Sequence, residues 1–131
     1  MFFDLGIRRA AANEGINPNR TTLGHLFEQL ITLEILQYLT LNKPLAKLRY
    51  WRSPDGPEVD LVIESAGELI PIEAKITDIP KQKHLKHLRL FMQEYKQAKH
   101  AYIICQVKHK IEIEKNIYAL PWQNFMLDVL F

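Results

Sequence analysis

Apolar side chains recur at helical spacing between residues 21 and 39: Leu23, Leu26, Phe27, Leu30, Ile31, Leu33 and Tyr38. They cover most of a helix circumference. The pattern predicts a largely buried helix, capped by Thr21 or Thr22, running to about Leu39 and ended by Asn42-Lys43-Pro44. His25, Gln29 and Thr32 leave a narrow polar strip, with Glu28 at its edge one turn from Ile31 and Ile35. Glu34 projects from the apolar side and reads as a paired core carboxylate. From Leu45 the period changes to two. Leu48 and Tyr50 alternate with Lys47, Arg49 and Trp51 in a first strand, and Ser53-Pro54-Asp55-Gly56-Pro57 is a strong turn. A second strand spans Glu58 to Glu64, with Val59, Leu61 and Ile63 on one face and Asp60 and Val62 on the other. A tight turn at Ala66-Gly67 leads into a third strand, Glu68 to Ile76, with Ile70, Ile72 and Ala74 opposed to Leu69, Glu73 and Lys75.

Pro80 opens a second helix, with Leu85, Leu88, Met92 and Tyr95 at helical spacing. Ala101 to Val107 is the continuous apolar run of a strand covered on both faces. Ile111 and Ile113, with Ile117 as a further candidate, suggest another strand. Pro121 starts a final amphipathic helix that ends at Phe131 and turns Trp122, Phe125, Met126 and Val129 inward. Ahead of all this, Phe2 to Arg20 carries turn signals at Gly15 and Asn17-Pro18-Asn19. Its opening, Phe2-Phe3-Asp4-Leu5-Gly6, reads as a short strand or a helix start. The order of helix, three strands, helix, one or two strands and helix is that of a mixed α/β domain around one sheet.

The 131 residues, 47% hydrophobic and 24% charged, fit one domain over 1–131 and exclude fibrous and long disordered classes. No run approaches the roughly 18–20 apolar residues of a membrane helix, and the start lacks the features of a signal peptide. A single cysteine, Cys105, excludes an internal disulfide and makes a reducing, cytoplasmic setting the expectation. No G-x-x-x-x-G-K-[S/T] loop is present, so these residues alone do not form a nucleotide-driven motor. Net charge is only +2, yet it is segregated. Residues 76–110 hold eight Lys and Arg against Asp78 and Glu94, leaving the remainder net acidic. A basic helix of this kind is either a solvated face or the seat of a polyanion.

The strands around Gly67 carry the candidate chemistry. A hairpin closed by a two-residue loop pairs Ser65 with Glu68 and, counting outward, sets Asp60 opposite Glu73. Facing residues have Cβ atoms about 4.5–5.5 Å apart, where like charges destabilise a sheet unless neutralised. Lys75 shares the face of Glu73. Two carboxylates and a lysine suit a hard divalent cation with oxygen ligands. The cation polarises a phosphodiester and acidifies a bound water, while the lysine orients that water or neutralises developing charge. The backbone carbonyl of Ala74 is a further ligand candidate. Glu28 joins the set if the first helix packs across this sheet face. On spacing alone, D-x12-E-x-K equally describes a salt bridge at a sheet edge.

The stretch Trp51-Arg52-Ser53, then Glu58-Val59-Asp60-Leu61-Val62-Ile63-Glu64 and Leu69-Ile70-Pro71-Ile72-Glu73-Ala74-Lys75, resembles the PD-(D/E)xK nuclease superfamily. More closely, it looks like the C-terminal domain that follows the motor in a group of archaeal and bacterial AAA-type ATPases. Phe3-Asp4-Leu5-Gly6, Gly24-His25-Leu26-Phe27-Glu28 and Leu120-Pro121-Trp122-Gln123-Asn124-Phe125 agree in order. The resemblance spans essentially the whole chain. It implies a restriction-endonuclease-like fold with a mixed central sheet flanked by helices. It implies a site in which Glu28, Asp60 and Glu73 hold Mg²⁺ (or Mn²⁺) and Lys75 acts on the water, with DNA as substrate and an AAA-type ATPase as partner. Val59 stands where the motif has proline, and no ATPase half is present. A non-catalytic module of the same fold, binding DNA or docking to an ATPase, is the alternative.

Lys81, Lys83, Lys86 and Arg89 are the candidate phosphate contacts, positioning DNA without reading its sequence. Arg52 is a candidate nucleic-acid contact or an exposed surface residue, and Trp51 a stacking platform or a core residue. His84 and His87, three apart on the helix, read as solvated or as adding charge near phosphate. Cys105 reads as a buried small hydrophobe.

Overall fold

A computed structural model of the chain describes residues 2–4, as backbone, and residues 20–131. The turns expected at Gly15 and Asn17-Pro18-Asn19 lie outside the described residues. In chain order the elements are β1 (Phe2–Asp4), α1 (Arg20–Asn42), β2 (Lys47–Arg52), β3 (Glu58–Ser65), β4 (Glu68–Ala74), α2 (Gln82–Glu94), β5 (Ala101–Cys105), β6 (Ile111–Glu114) and β7 (Ile117–Pro121), with a 3-10 turn at Phe125–Leu127. The strands form one mixed sheet in the order β1-β2-β3-β4-β5-β7-β6. Strands β1 to β4 are antiparallel neighbours, whereas β4, β5 and β7 run parallel. The β4–α2–β5 crossover lays α2 on one face and leaves the other to α1.

Each face has its own core because the sheet separates them. On one side Ile31, Ile35 and Leu39 of α1 pack on Leu61, Ile63, Ile70, Ile72 and Ile104. On the other Leu85, Leu88 and Phe91 of α2 pack on Trp51, Val59, Val62, Ile103 and Ala119. The central strands are therefore covered twice, which is why β5 is buried at every position. The β3–β4 hairpin turns on Ala66 (φ 49°) and Gly67 (φ 82°), both left-handed, the primed turn that suits the twist of two antiparallel strands.

Four expectations are corrected. The first helix is not largely buried: Leu23, Leu30, Leu33 and Leu41 are 40–74% exposed, because one sheet face covers only the stripe through Ile31, Ile35 and Leu39. Glu34, expected in the core, is exposed for the same reason. The final helix is absent. Pro121 ends β7, the Trp122 N–H is donated to the Cys105 carbonyl, and Asn124 (φ 58°) turns the chain left-handed before the single 3-10 turn. Even so, Phe125, Met126 and Val129 point into the α1-side core as expected. The strand expected around Ile111 is two, β6 and β7, folded at Asn116 (φ 67°). No helix among the described residues is long and apolar enough to cross a membrane.

Candidate functional site

The β3–β4 ladder runs from Ser65↔Glu68 to Leu61↔Ile72, so the expected register is present and Asp60 and Glu73 are the next positions outward. At that end β3 departs from regular pairing. The step from Arg49 to Trp51 on β2 faces the longer step from Val62 to Val59 on β3, so Asp60 and Leu61 together oppose Tyr50. This is a β-bulge, which re-aims side chains and breaks alternation. It corrects one expectation. Val59 does not share a face with Leu61 and Ile63 but packs with Val62 against α2. The candidate aspartate thus sits inside the irregularity.

Glu73 is the one buried charged side chain among the described residues, 5% exposed. Its register neighbour on β5 is Ile103, of the α2-side core. Burial lifts its carboxyl well above the ordinary carboxylate range. The Asp60 carboxylate lifts it further, the Lys75 ammonium opposes, and Glu28 adds a smaller lift. The Asp60 backbone N–H donates to the Glu73 carboxylate. Asp60 and Glu73 therefore meet through both backbone and charge. Lys75 is exposed at the strand end, where its N–H is donated to the Ile104 carbonyl at 3.0 Å.

Glu28 lies one turn before Ile31 on the half-buried side of α1. That helix packs across the face of Ile72 and Ala74, opposite in register parity to Glu73. Glu28 acts on Glu73 through charge, less than Asp60 and Lys75 do. Ala74 turns its side chain into the α1-side core. Among the described residues no group of three or more His, Cys, Asp or Glu stands ready to hold a metal ion.

The basic residues divide into free and committed. Lys81, Lys83 and Lys86 are exposed along α2 and its N-terminus. Arg89 is not free: its guanidinium is held by the Glu114 carboxylate of β6, with Nε 2.9 Å from both oxygens, and also meets Gln82. That pairing holds Arg89 in its charged form and keeps Glu114 ionised below the usual range. Arg52 pairs with Glu58 at 3.1 Å on the surface. Trp51 is 2% exposed and packs edge-on against Phe91 and Tyr95, so it is core and no stacking platform. Cys105 is buried, and burial pushes its thiol up, away from reactivity.

One residue at the site was read differently from sequence. His84 is half-buried at the first turn of α2, and its Nδ1 accepts the Lys81 N–H at 2.9 Å. Burial lowers its pKa, followed by the charges of Lys75, Lys83 and Lys81. It is a neutral capping histidine with the proton on Nε2, and adds no charge at neutral pH. Lys81 and His84 stand where a capping box has Ser or Thr and Glu or Gln, so no sequence pattern announced this contact.

A mixed sheet flanked by a helix on each face, with a buried glutamate beside an aspartate and a lysine at the end of its central strand, defines the class as an α/β domain with a polar centre at a strand terminus. The chain belongs to the family described as a domain of unknown function (DUF4143), which matches residues 23–125. No curated protein matches it. Among solved structures it is similar to a chain of the refined half-complex from the tetradecameric assembly of Thermococcus gammatolerans McrB AAA+ hexamers with bound McrC. The TM-score is 0.52 at 18% identity, over 76% of this chain and 27% of that one. The likeness is one of fold, and this chain spans about a quarter of the length of that similar chain.

Proposed function

We propose that this domain is a divalent-cation-dependent nuclease-like unit of the PD-(D/E)xK kind, acting on the DNA backbone beside an AAA-type ATPase. The observation that carries the reading is Glu73: a carboxyl buried in a strand, lifted by Asp60, and faced by Lys75. A buried carboxylate without a full counter-charge is costly, and such groups concentrate at functional sites. The donor set, Asp60, Glu73, the Ala74 carbonyl and the more distant Glu28, is all oxygen and fits Mg²⁺ or Mn²⁺. Such a cation, when bound, supplies charge for the phosphodiester and an acidified water. Lys75, exposed and two residues beyond Glu73, orients the water or meets the charge that develops on phosphorus. His84, neutral and held by Lys81, offers an Nε2–H donor next to Lys75. Lys81, Lys83 and Lys86 supply phosphate contacts; Arg89 does not, because Glu114 holds it. The ATPase partner is supported by the resemblance and by the similar chain's place in an assembly of McrB AAA+ hexamers.

A non-catalytic DNA-binding or docking module is the second reading, favoured by the lack of a ready metal group among the described residues. The test is cleavage of plasmid and single-stranded DNA in Mg²⁺ and Mn²⁺ by wild type and by an Asp60→Ala, Glu73→Ala double variant. Cleavage by wild type alone is expected. Equal cleavage by both refutes the site. Cleavage by neither, with salt-sensitive DNA binding retained, selects the module.

A further inference from the structure

Just beyond Lys75, on the α1 side, lies an open pocket of about 620 Å³ lined by Arg20, Leu23, Ile76, Thr77, Asp78 and Gln106. It sits past the C-terminal ends of the parallel strands β4 and β5, the place where open α/β sheets receive ligands, and its size is that of a small-molecule site. Its lining has two characters. Leu23 and Ile76 are large apolar side chains left 44% and 38% exposed, and both line the pocket. Around them stand a guanidinium, a carboxylate and a carboxamide. Arg20 and Asp78 line the same pocket but, among the described residues, form no ion pair with each other or with anything else.

The backbone beneath the polar rim is held in place. The Gln106 N–H is donated to the Thr77 carbonyl at 2.7 Å, tying the ends of β4 and β5 together. Thr77 Oγ1 accepts the Ile79 N–H at 3.2 Å and donates to the Ile79 carbonyl at 3.1 Å, which fixes the loop that carries Asp78. Asp78 and Gln106 are therefore carried on neighbouring, tied backbone at the rim of the pocket.

We propose that this pocket binds one nucleotide of the substrate strand, base on the Leu23–Ile76 platform and phosphate toward Arg20, and that Asp78 and Gln106 select guanine. A carboxylate only accepts hydrogen bonds and can take two at once. Guanine alone among the DNA bases offers two adjacent donors, N1–H and the N2 amino group, beside an acceptor, O6, that suits the Gln106 amide. Thymine offers one N–H between two carbonyls, which repel a carboxylate. The proposal rests on the nuclease-like reading for its placement, since the pocket opens at Ile76, the residue after Lys75.

The test is binding of dGMP and dTMP to the full chain in EDTA by titration calorimetry, which requires no cleavage. Wild type binds dGMP at least ten-fold tighter than dTMP. Asp78→Asn removes that preference, and Arg20→Ala weakens both nucleotides alike. Both residues are exposed, and an unchanged unfolding midpoint verifies that each variant folds. An Asp60→Asn variant keeps the dGMP preference. Equal binding of the two nucleotides by wild type, binding of neither at millimolar concentration, or a preference that survives Asp78→Asn overturns the proposal. If DNA is not cleaved yet the preference stands, the nuclease reading falls and the pocket remains.

Discussion

Replacing Glu73 by Gln isolates the cost of its charge. The carboxyl is raised in the folded state, by burial above all, so the native protein holds this proton more tightly than the unfolded chain. Stability from that protonation is fully present below the unfolded carboxylate pKa and is lost as pH rises through the folded value. As pH rises the unfolded chain's carboxyl ionises freely while burial resists ionisation in the native protein; Gln has no proton to lose, keeps the shape and still accepts the Asp60 N–H. An ion in a protein interior costs several kcal/mol, and charged hydrogen bonds return about 1.5–3 kcal/mol each. With Lys75 and the Asp60 N–H both helping, the net gain from Glu73→Gln at pH 8 is about 1–3 kcal/mol. For a chain of this length about 3–5 °C in Tm accompanies each kcal/mol, so the rise is about 3–15 °C. Thermal unfolding followed by circular dichroism in EDTA at pH 5 and pH 8 measures it as a variant-minus-wild-type difference, which cancels other titrating groups. The advantage shrinks toward pH 5. A variant no more stable than wild type at pH 8, with an unchanged pH slope, would show that Glu73 is not an uncompensated buried carboxylate.

Other consequences are as direct. Lys75→Met lowers any Mg²⁺-dependent cleavage about 100-fold or more while DNA affinity, read by fluorescence anisotropy, stays within a few-fold. The Lys83→Ala, Lys86→Ala pair weakens DNA binding and flattens its dependence on salt, whereas Arg89→Ala leaves both unchanged, because Glu114 already holds that cation. Ala66→Asn raises stability by about 1 kcal/mol, seen as a higher Tm, because a left-handed backbone penalises alanine by about 1–2 kcal/mol and asparagine less. Ile35→Ala removes a fully buried side chain from the α1-side core and costs about 2–5 kcal/mol in urea unfolding.

What could be read from sequence depended on whether local chemistry or tertiary cover decided the outcome. The β3–β4 register was legible because period-two patterning and the Ala66-Gly67 pair constrain the same hairpin, and a one-residue slip would invert every side chain. The bulge at Asp60–Leu61 was not. Neither residue is a glycine, the usual mark of a bulge in a strand, and its consequence appears only in Val59, which packs with α2 and not with α1. The apolar circumference of α1 suggested burial all round, but burial needs a second surface, and one sheet face supplies only a stripe. The tail after Pro121 has helical spacing in Phe125, Met126 and Val129, yet those residues reach the core from an irregular chain. At the candidate site, pairing arithmetic set Asp60 against Glu73 with Lys75 two residues on, and in the fold both Asp60 and Lys75 act on the Glu73 carboxyl. The commitments of Arg89 and His84 were hidden, because Glu114 lies on a distant strand and Lys81-x-x-His84 is not the usual capping-box pattern.

The two tryptophans lie on opposite sides of one sheet. Trp51 is sealed in the α2-side core, its Nε1 without a partner among the described residues, while Trp122 packs half-exposed against Phe27 beside the α1-side core. An indole that is dry and unbonded emits to the blue of one that touches water. The molecule thus carries a separate optical reporter for each of its two layers. Single-tryptophan variants resolve whether the helix bearing Glu28 and the helix bearing His84 melt in one step or leave the sheet one at a time.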